Sequence, residues 1–455
     1  MTDTITRTLA AYAAELRFED LPGPVVARSK ALILDFLGSV VRARVASDST
    51  PALLTMLRDM GLDAPGPCAV PGTELRFQPP VAALVTGMLG HSLDFDDTHA
   101  ASSLHPSAPV VSAALAVGQA RGASGAEVLT AIIAGFEICC RLGLALDPAR
   151  HYARGFHPTA TAGTFGAAAA AARLMGCDGA GVAAALGVAG SQAAGSLQFL
   201  ENGAWNKRWQ VGQAAMNGVL AGALAASGFH AARAPIEGKA GFLHGYTDGA
   251  DPDRAIRGLG QDYETMRIGV KPYPACRYTH AALDGLKALR EDGLDPAAIR
   301  RVTIGLHRNG ITLTADPIDA KRRARSVVEG QFSMPFTAAV MLLQGSFGWD
   351  DYARLGAPEI EAMAERVDVV RDPGLEGGAH PFGATVQVDT DTGTRHVRID
   401  DPSGEPESFP DNLALLEKFF TLAEPVLGPD TGAFADAVLE LHKRTDLRAL
   451  QNGPA

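Results

Sequence analysis

The chain is poor in cysteine and lacks nucleotide-binding glycine patterns. Its five cysteines show no paired CxxC spacing, so neither a disulfide scaffold nor a zinc ribbon is expected, and a reducing cytoplasm fits. Neither a GxGxxG nor a Walker sequence occurs, and we therefore expect no nucleotide or other cofactor. The N-terminal segment carries acids and no long apolar run, which predicts no secretory signal and a cytoplasmic location.

Positive charge is also in short supply. Lysine and arginine number 40 against 51 aspartate and glutamate residues, giving a net charge of -11. A chain without a basic excess is not expected to bind nucleic acid. A small anionic substrate is still possible, because a few lysines dominate the local field at short range. The length of 455 residues and the 47% hydrophobic content predict a large core and two domains.

Three long segments contain no Asp, Glu, Lys or Arg: residues 155–172, 179–200 and 209–232. Each is long enough to span a bilayer. They consist of Ala and Gly with Gln, Ser and Thr rather than of Leu, Ile and Phe. Helices of this composition are typical of the centre of a large helical bundle, where small residues let backbones approach closely. We expect them to form the core of the first domain, with no membrane contact.

Local patterns predict a mainly α fold. Helical spacing dominates residues 1–266 and 402–455, including a capping-box pattern in which Glu127 follows Ser124 by three positions. Between them, residues 267–401 mix helices, at 280–291 and along the run from 326 to 345, with alternating strand patterns and a hairpin around 391–393. The sequence therefore predicts a large all-helical domain and a smaller α/β domain inserted before the C-terminal helices.

Polar residues concentrate in three clusters, at 91–106, 155–163 and 271–280. They contain histidines, which exchange protons near neutral pH, and a lysine, which supplies fixed positive charge for a carboxylate. Asp94 suits a role in orienting a histidine or receiving a proton. We expect the clusters to line one site that carries out acid–base chemistry at a carbon next to a carboxylate.

The clusters and their surroundings resemble the MmgE/PrpD family. The resemblance is carried by HSLDFDD and the following His-Pro, ASGAEVLTAIIAGFE, GFHPTATAGTFGAAAAAARLMG, NKRWQVGQAAMNGVLAGALAASGF and KPYPACRYTH, and it covers nearly the whole chain. It implies a helical domain plus a lid domain, a homodimer, and metal-independent chemistry on di- or tricarboxylates. Carried over from the decarboxylase branch of that family, the pocket positions are Asp94, Thr98, His105, His157, Lys207 and Lys271.

Two positions depart from that branch. Cys276 stands where the branch has a histidine five residues after the lysine, and Phe336 stands where it has a tyrosine. We therefore include Cys276 and His280 among the candidate catalytic groups, with His280 as a possible substitute for the missing histidine. Thr159, Tyr273 and Phe336, together with Thr98, are the expected substrate contacts.

Each candidate also has a structural interpretation. His105 precedes a proline and suits a turn, His157 suits a hydrogen-bonded core position, and Cys276 suits a small packed thiol as well as a base activated by lysines. The acids at 94, 96 and 97 beside His91 and His99 suggest metal ligands. They lack HExxH spacing and a calcium-loop pattern, so no metal is expected.

The favoured function is a lyase resembling 2-methylcitrate dehydratase. In this hypothesis Lys207 and Lys271 bind carboxylates, His105 or His157 removes the neighbouring proton, and the other group protonates a departing hydroxyl. An epimerase resembling iminodisuccinate epimerase is the first alternative, since Cys276 and a histidine on opposite faces of one carbon would return the proton. Decarboxylation of cis-aconitate is a less favoured alternative. A catalytically silent carboxylate-binding protein is the remaining one.

Overall fold

The computed structural model describes residues 4–376 and 381–448. Helix accounts for 61% of it and strand for 8%, which confirms the predicted mainly α fold. Contacts divide the chain into two compact units. Unit 1 comprises Met1–Val270 and Asp411–Ala455, and unit 2 comprises Lys271–Pro410.

Unit 1 is built almost entirely of helices. In chain order they are α1 (Ile5–Glu15), α2 (Gly23–Ala46), α3 (Thr50–Asp59), α4 (Pro79–Gly90), α5 (Ser107–Arg121), α6 (Gly125–Ala145), α7 (Pro148–Ala153), α8 (Pro158–Leu174), α9 (Gly179–Ala189), α10 (Asn206–Ala226) and α11 (Phe242–Gly245), with α18 (Asn412–Leu427) and α19 (Thr431–Leu439) from the C-terminal segment. The expectation of an all-helical domain misses one small antiparallel pair, β1 (Cys68–Ala69) with β2 (Arg76–Phe77). Two residues per strand are too few to give an alternating pattern in the sequence.

Unit 2 contains a four-stranded sheet and short helices. The strands are β3 (Ile299–Leu306), β4 (Val367–Arg371), β5 (Ala384–Thr390) and β6 (Gly393–Ile399), and the helices are α12 (His280–Glu291), α13 (Arg308–Thr314), α14 (Ile318–Arg322), α15 (Val327–Gln331), α16 (Met334–Gln344) and α17 (Pro358–Ala364). The sheet order is β4-β3-β5-β6, with β4 parallel to β3 and the other pairs antiparallel. The predicted hairpin is β5–β6, which turns between Thr390 and Gly393.

One predicted helix of unit 2 is interrupted. The apolar run from 326 to 345 was expected to form a single helix, but α15 ends at Gln331 and α16 begins at Met334. Ser333 takes extended backbone angles and its hydroxyl accepts from the Phe336 amide, while Pro335 occupies the first turn. An N-cap followed by proline starts a new helix and ends the previous one.

Close backbone contacts explain the Ala/Gly composition of unit 1. A Cβ added to Gly87 in α4 would lie 3.0 Å from the Cα of Gly212 in α10, and one on Gly218 would lie 2.4 Å from the Cβ of Ala167 in α8. Larger side chains at these glycines would force the helices apart. The helices that contain the site residues are thus held at fixed, short separations.

Burial of the three uncharged segments is uneven. Residues 158–172 of α8 are all buried, as expected for a central helix. The other two segments are buried on one side only, and Leu220 and Leu224 of α10 are 38% and 40% exposed. Alanine and glycine tolerate either environment, so their abundance predicts close packing on one face and not full burial.

Among the described residues, one helix is long and apolar enough to cross a membrane by length and composition, α6 at Gly125–Ala145. It is not one of the three segments singled out by composition. Inside the protein, 94% of its most apolar window is buried. The predicted capping box is present at its start, where Ser124 and Glu127 bond each other's backbone amides.

Candidate active site

Three candidate residues lie at the start of three helices in unit 1. His105 lies two positions before α5, His157 is the N-cap of α8, and Lys207 is the second residue of α10. Its sequence context, between Trp205 and Trp209, predicts a loop for Lys207, but the residue lies in the first turn of a helix of 21 residues. Helix N-termini carry partial positive charge and favour anions. This part of unit 1 therefore suits a carboxylate in its electrostatics.

The segment that carries the first cluster is held in a compact turn. Asp94 has a φ of 53°, in the left-handed region that aspartate tolerates better than most residues. Thr98 and Gly269 exchange backbone hydrogen bonds of 2.9 Å in both directions. The backbone conformation is specialised, and it is fixed by long-range contacts within unit 1 rather than by local propensity.

His105 is half-buried and its ring orientation is set by one short bond. Its Nδ1 lies 2.7 Å from the carbonyl oxygen of Asp97, so Nδ1 carries the proton and donates it. The neutral ring then has its lone pair on Nε2. Its backbone amide donates to Thr159 Oγ1 at 3.1 Å. Thr159 is fully buried and supports His105 through this bond, and its predicted substrate contact stays a prediction.

His157 is buried, and its tautomer is also fixed. Its Nδ1 lies 3.1 Å from Gln210 Oε1, while the Gln210 amide nitrogen donates to the Ser196 carbonyl at 2.8 Å. Because the second bond orients the amide, Oε1 accepts from Nδ1, which leaves the lone pair of the neutral ring on Nε2. The pKa of His157 lies well below its usual value, chiefly because of burial and then because of the nearby basic groups, His91 first. This imidazole is therefore neutral near pH 7.

A third imidazole, His91, lies beside the other two. Its Nδ1 is 2.7 Å from Asp96 Oδ2, and both side chains are fully buried. Its ring centroid is 4.9 Å from that of His105 and 6.0 Å from that of His157. Burial lowers the pKa of His91 despite the opposing effect of Asp96. All three rings hold Nδ1–H against an oxygen and carry the lone pair on Nε2.

Lys207 forms an ion pair with Asp94. Its Nζ donates to Asp94 Oδ1, and the lysine side chain is 18% exposed against 5% for the aspartate. A lysine at a helix N-terminus is opposed by the helix dipole, and a partly buried carboxylate offsets that cost. The arrangement keeps an ammonium group in place beside the histidines.

Asp97, which holds His105 through its backbone, has a separate role for its side chain. Its carboxylate accepts from the backbone amide and hydroxyl of Ser107, the first residue of α5. Burial raises the pKa of Asp97 well above its usual value, and the neighbouring Asp96 raises it further. Asp97 thus ties the start of α5 to the turn that presents His105.

Three of these residues meet the simplest geometric test for a metal site. One ligand atom from each of His91, Asp96 and His105 lies within 4.8 Å of the others. The Nδ1 atoms of both histidines donate to oxygen acceptors, and Asp96 is itself the acceptor for His91, so the contacts present are hydrogen bonds and not those of a metal ligand set. That the protein works without a metal stays a prediction.

The third polar cluster lies in unit 2 and has its own contacts. Lys271 is buried. Tyr273, an expected substrate contact, donates its hydroxyl to Asp284 Oδ1 at 2.8 Å, and burial raises the pKa of this phenol. The roles of both residues stay predictions.

His280 and Cys276 are both buried in unit 2. Arg277 donates to His280 Nδ1 at 2.8 Å, and Nε2 lies 3.1 Å from the Ala275 carbonyl, so both ring nitrogens are engaged. This bonding holds the His280 ring in place, and its role as a substitute for the missing catalytic histidine stays a prediction. The backbone amide of Cys276 donates to the Gln331 carbonyl at 2.8 Å, and its thiol interacts electrostatically with Lys321.

Phe336 packs in an aromatic cluster of unit 2. Its ring stacks on Tyr352 at 5.8 Å and meets Phe347 edge-on at 6.2 Å. The Tyr352 hydroxyl donates to the Pro274 carbonyl at 2.6 Å, next to the predicted contact Tyr273. Phe336 is thus part of the support of the 272–276 segment; a substrate contact by its ring stays a prediction.

Sequence patterns gave no signal for two supporting residues. Gln210, which sets the His157 tautomer, is one glutamine in a small-residue helix. Lys418 of α18 donates to the Phe95 carbonyl at 2.8 Å and to Asp35 Oδ1 at 2.6 Å, and its ammonium lies 3.9 Å from the Phe95 ring centre. It holds the turn next to Asp94 from a position 323 residues away.

Unit 1 thus brings three imidazoles together beside a lysine–aspartate ion pair, a combination suited to proton transfer next to a positive charge. The chain belongs to the MmgE/PrpD family, whose N-terminal domain model matches residues 7–255 and whose C-terminal domain model matches residues 273–447. This confirms the family that the sequence motifs indicated.

Similar proteins are named as decarboxylases. The chain is 28% identical over 472 residues to cis-aconitate decarboxylase of Aspergillus terreus, with 98% of this chain and 95% of that protein covered. It is 26% identical over 482 residues to the cis-aconitate decarboxylase-like protein oryM of Aspergillus oryzae, covering 98% and 96%. It is 27% identical over 395 residues to cis-aconitate decarboxylase of Homo sapiens, covering 82% and 78%.

Proposed function

We propose that the protein is a lyase that acts on a di- or tricarboxylate by general acid–base chemistry, with cis-aconitate decarboxylation as its first candidate reaction. The observation that carries the proposal is the group of three imidazoles, all with Nδ1–H held and the lone pair on Nε2, beside the Lys207 ammonium. The similarity to cis-aconitate decarboxylases along 98% of the chain favours that substrate class.

The groups divide naturally between binding and proton transfer. Lys207 and the helix N-termini attract a substrate carboxylate. In decarboxylation, the electron pair of the breaking C–C bond enters the neighbouring double bond as carbon dioxide leaves, and a proton adds at the far carbon. His105 is the proton donor in this scheme, because its half-buried ring retains contact with water when charged. The neutral His157 accepts a proton or hydrogen-bonds the substrate.

Dehydration of 2-methylcitrate is the second candidate. It is favoured by the two departures from the decarboxylase branch, Cys276 and Phe336, neither of which supplies the imidazole or hydroxyl found there. In this reaction His157 removes the proton and His105 protonates the departing hydroxyl. Proton transfer of either kind contributes about 10² to 10⁴ in rate.

Proton NMR in deuterated water with the purified protein tests the proposal. The panel contains cis-aconitate, 2-methylcitrate, citrate and the diastereomers of iminodisuccinate, each also incubated with a His157→Asn variant as control. Release of carbon dioxide with one deuterium in a new methylene product supports decarboxylation, and a vinyl signal from a hydroxy acid supports dehydration. Interconversion of diastereomers with deuterium exchange would replace the lyase by an epimerase. No reaction with any substrate would contradict the proposal.

We also propose that the protein forms a homodimer, as the family resemblance implies. Large apolar side chains exposed on and after α10 support a protein contact there, with Leu220, Leu224 and Phe229 at 38%, 40% and 52% exposure. Light scattering at micromolar concentration measures the mass directly. The mass of one chain would contradict this proposal.

A further inference from the structure

His91 has one ring nitrogen that the surrounding protein does not satisfy. His91 is 1% exposed, and its Nε2 makes no hydrogen bond with any residue in the described part of the chain. Leaving a buried polar atom without a partner costs about 1–3 kcal/mol. A cost of this size at a candidate site calls for a functional explanation.

The other side of the ring is firmly held. Nδ1 donates to Asp96 Oδ2 at 2.7 Å, and neither side chain is exposed to solvent. This bond fixes the ring and keeps the lone pair on Nε2. A negative carboxylate in this position stabilises the ring when it receives a second proton, as in other buried histidine–carboxylate pairs.

His91 lies between a buried and a half-buried imidazole. His157 is 4% exposed, whereas His105 is partly open to solvent. Ring centroids are 6.0 Å and 4.9 Å from His91 respectively. Imidazoles at these centroid separations are near enough to exchange a proton directly or through one bridging water.

The charges around His91 suit a temporary proton site. Asp96 and Asp94 favour the charged ring, while burial and Lys207 of α10 oppose it. The other titratable groups of the cluster are the two imidazoles, from the N-cap of α8 and from the segment before α5, and the buried Asp97 carboxyl beside Asp96. The ring is neutral at rest, and its counter-charge is already in place when a proton arrives.

We propose that His91 and Asp96 form a proton-holding pair that exchanges protons between His157 and His105 during turnover. The inference rests on the proposed acid–base function and applies equally to decarboxylation and dehydration. A proton taken up by His157 Nε2 passes to His91 Nε2, giving an imidazolium paired with the Asp96 carboxylate, and then to His105 and water. The reverse path delivers a proton inward, and each transfer returns one imidazole to its neutral form.

The chain contains a matched control. His99 is another fully buried histidine of the same segment and also contacts a carboxylate, Glu264, at 3.1 Å. Its second nitrogen is bonded to Ser102 Oγ at 2.7 Å, so it has no unsatisfied nitrogen. Replacing His99 perturbs a buried histidine–carboxylate pair without touching the proposed proton path.

The test compares His91→Ala, His91→Gln, Asp96→Asn and His99→Gln in the full-length protein, on whichever panel substrate the unmodified protein converts. For His91→Ala we expect kcat to fall about 100-fold with KM within about threefold, and added imidazole to restore at least about tenfold. Asp96→Asn, which keeps a hydrogen-bonding group of the same shape, lowers kcat about tenfold and increases the solvent deuterium isotope effect. His99→Gln lowers the melting temperature and shows no imidazole rescue.

Two results would overturn the inference separately from the proposed function. If the unmodified protein is active and the folded His91→Gln and Asp96→Asn variants retain its kcat and isotope effect, the proton-holding role is wrong while the lyase stands. If imidazole rescues His99→Gln as well, the effect is not specific to the pair. An unmodified protein that converts nothing in the panel removes the lyase and this inference together.

Discussion

Replacing His105 with asparagine separates its structural bond from its proton chemistry. In the unmodified protein Nδ1 donates to the Asp97 carbonyl at 2.7 Å. The amide nitrogen of asparagine occupies nearly the same place as Nδ1, so the variant keeps this hydrogen bond. The backbone bond to Thr159 is unchanged. What disappears is Nε2, the atom assigned to proton transfer. We expect the free energy of unfolding to change by less than about 1 kcal/mol, the size of one ordinary hydrogen bond.

The kinetic effect should be much larger. Loss of a general acid or base lowers kcat by about 10²–10⁴, which corresponds to about 3–5 kcal/mol in the activation barrier. KM should change little, because Lys207 is untouched. Initial rates by NMR across a substrate range give both constants, and thermal unfolding gives stability.

Two other histidines calibrate the result. His151 is buried with both nitrogens bonded, to the Tyr246 carbonyl at 2.9 Å and Thr161 Oγ1 at 3.0 Å, so His151→Asn should reduce stability and leave kcat per folded molecule intact. His230 is exposed, and His230→Asn should change neither. A folded His105→Asn variant with kcat within about threefold of the unmodified protein would refute the assignment.

Four further outcomes are expected. Lys207→Met raises KM about 10- to 100-fold through the loss of one charge-assisted bond, while the exposed Lys239→Met has no effect; equal KM values would exclude Lys207 as a carboxylate ligand. If the Cys276 thiol only packs, Cys276→Ser retains kcat, as does the control Cys177→Ser. Loss of activity in Cys276→Ser but not in Cys177→Ser would favour the two-base epimerase. Exhaustive chelation leaves kcat unchanged, and the purified protein contains less than one metal ion per chain. Burial lowers the folded-state pKa of the three buried histidines at 91, 151 and 157, so the unfolded state takes up protons first as the pH drops. The free energy of unfolding should therefore fall below pH 6.5, by up to about 1.4 kcal/mol per pH unit for each histidine. Calorimetry that shows no fall between pH 6.5 and 5 would contradict this.

Local signals predicted the elements that local physics determines. The bounds of α12 and the β5–β6 hairpin follow from helical spacing and from a turn with glycine, both of which are contained in a few neighbouring residues. The break between α15 and α16 also has a local signal, the N-cap Ser333 followed by Pro335. It was missed because the residues around it form a continuous apolar run. The uneven burial of α9 and α10 was not predictable, because alanine and glycine carry little preference for either side of a helix.

The candidate site divides in the same way. His105, His157, Lys207 and Asp94 were found from motifs, and the structure brings them together within unit 1. The tautomers depend on Gln210 and on the Asp97 carbonyl, and a backbone oxygen leaves no trace in a sequence. The special position of His91 was missed because its unsatisfied nitrogen is a property of packing, not of residue type.

The division of unit 1 into two stretches of chain has a consequence for synthesis. Lys418, which bonds the Phe95 carbonyl next to Asp94, leaves the ribosome only after all of unit 2 has been made. At typical rates of translation this delay is on the order of ten seconds. During that time the surface of α2 that later packs against α18 is uncovered, and the turn carrying Asp94 lacks its anchor. Nascent chains of this protein should therefore depend on chaperones late in translation, and ones that stop before residue 411 should be degraded rather than accumulate as a functional helical domain.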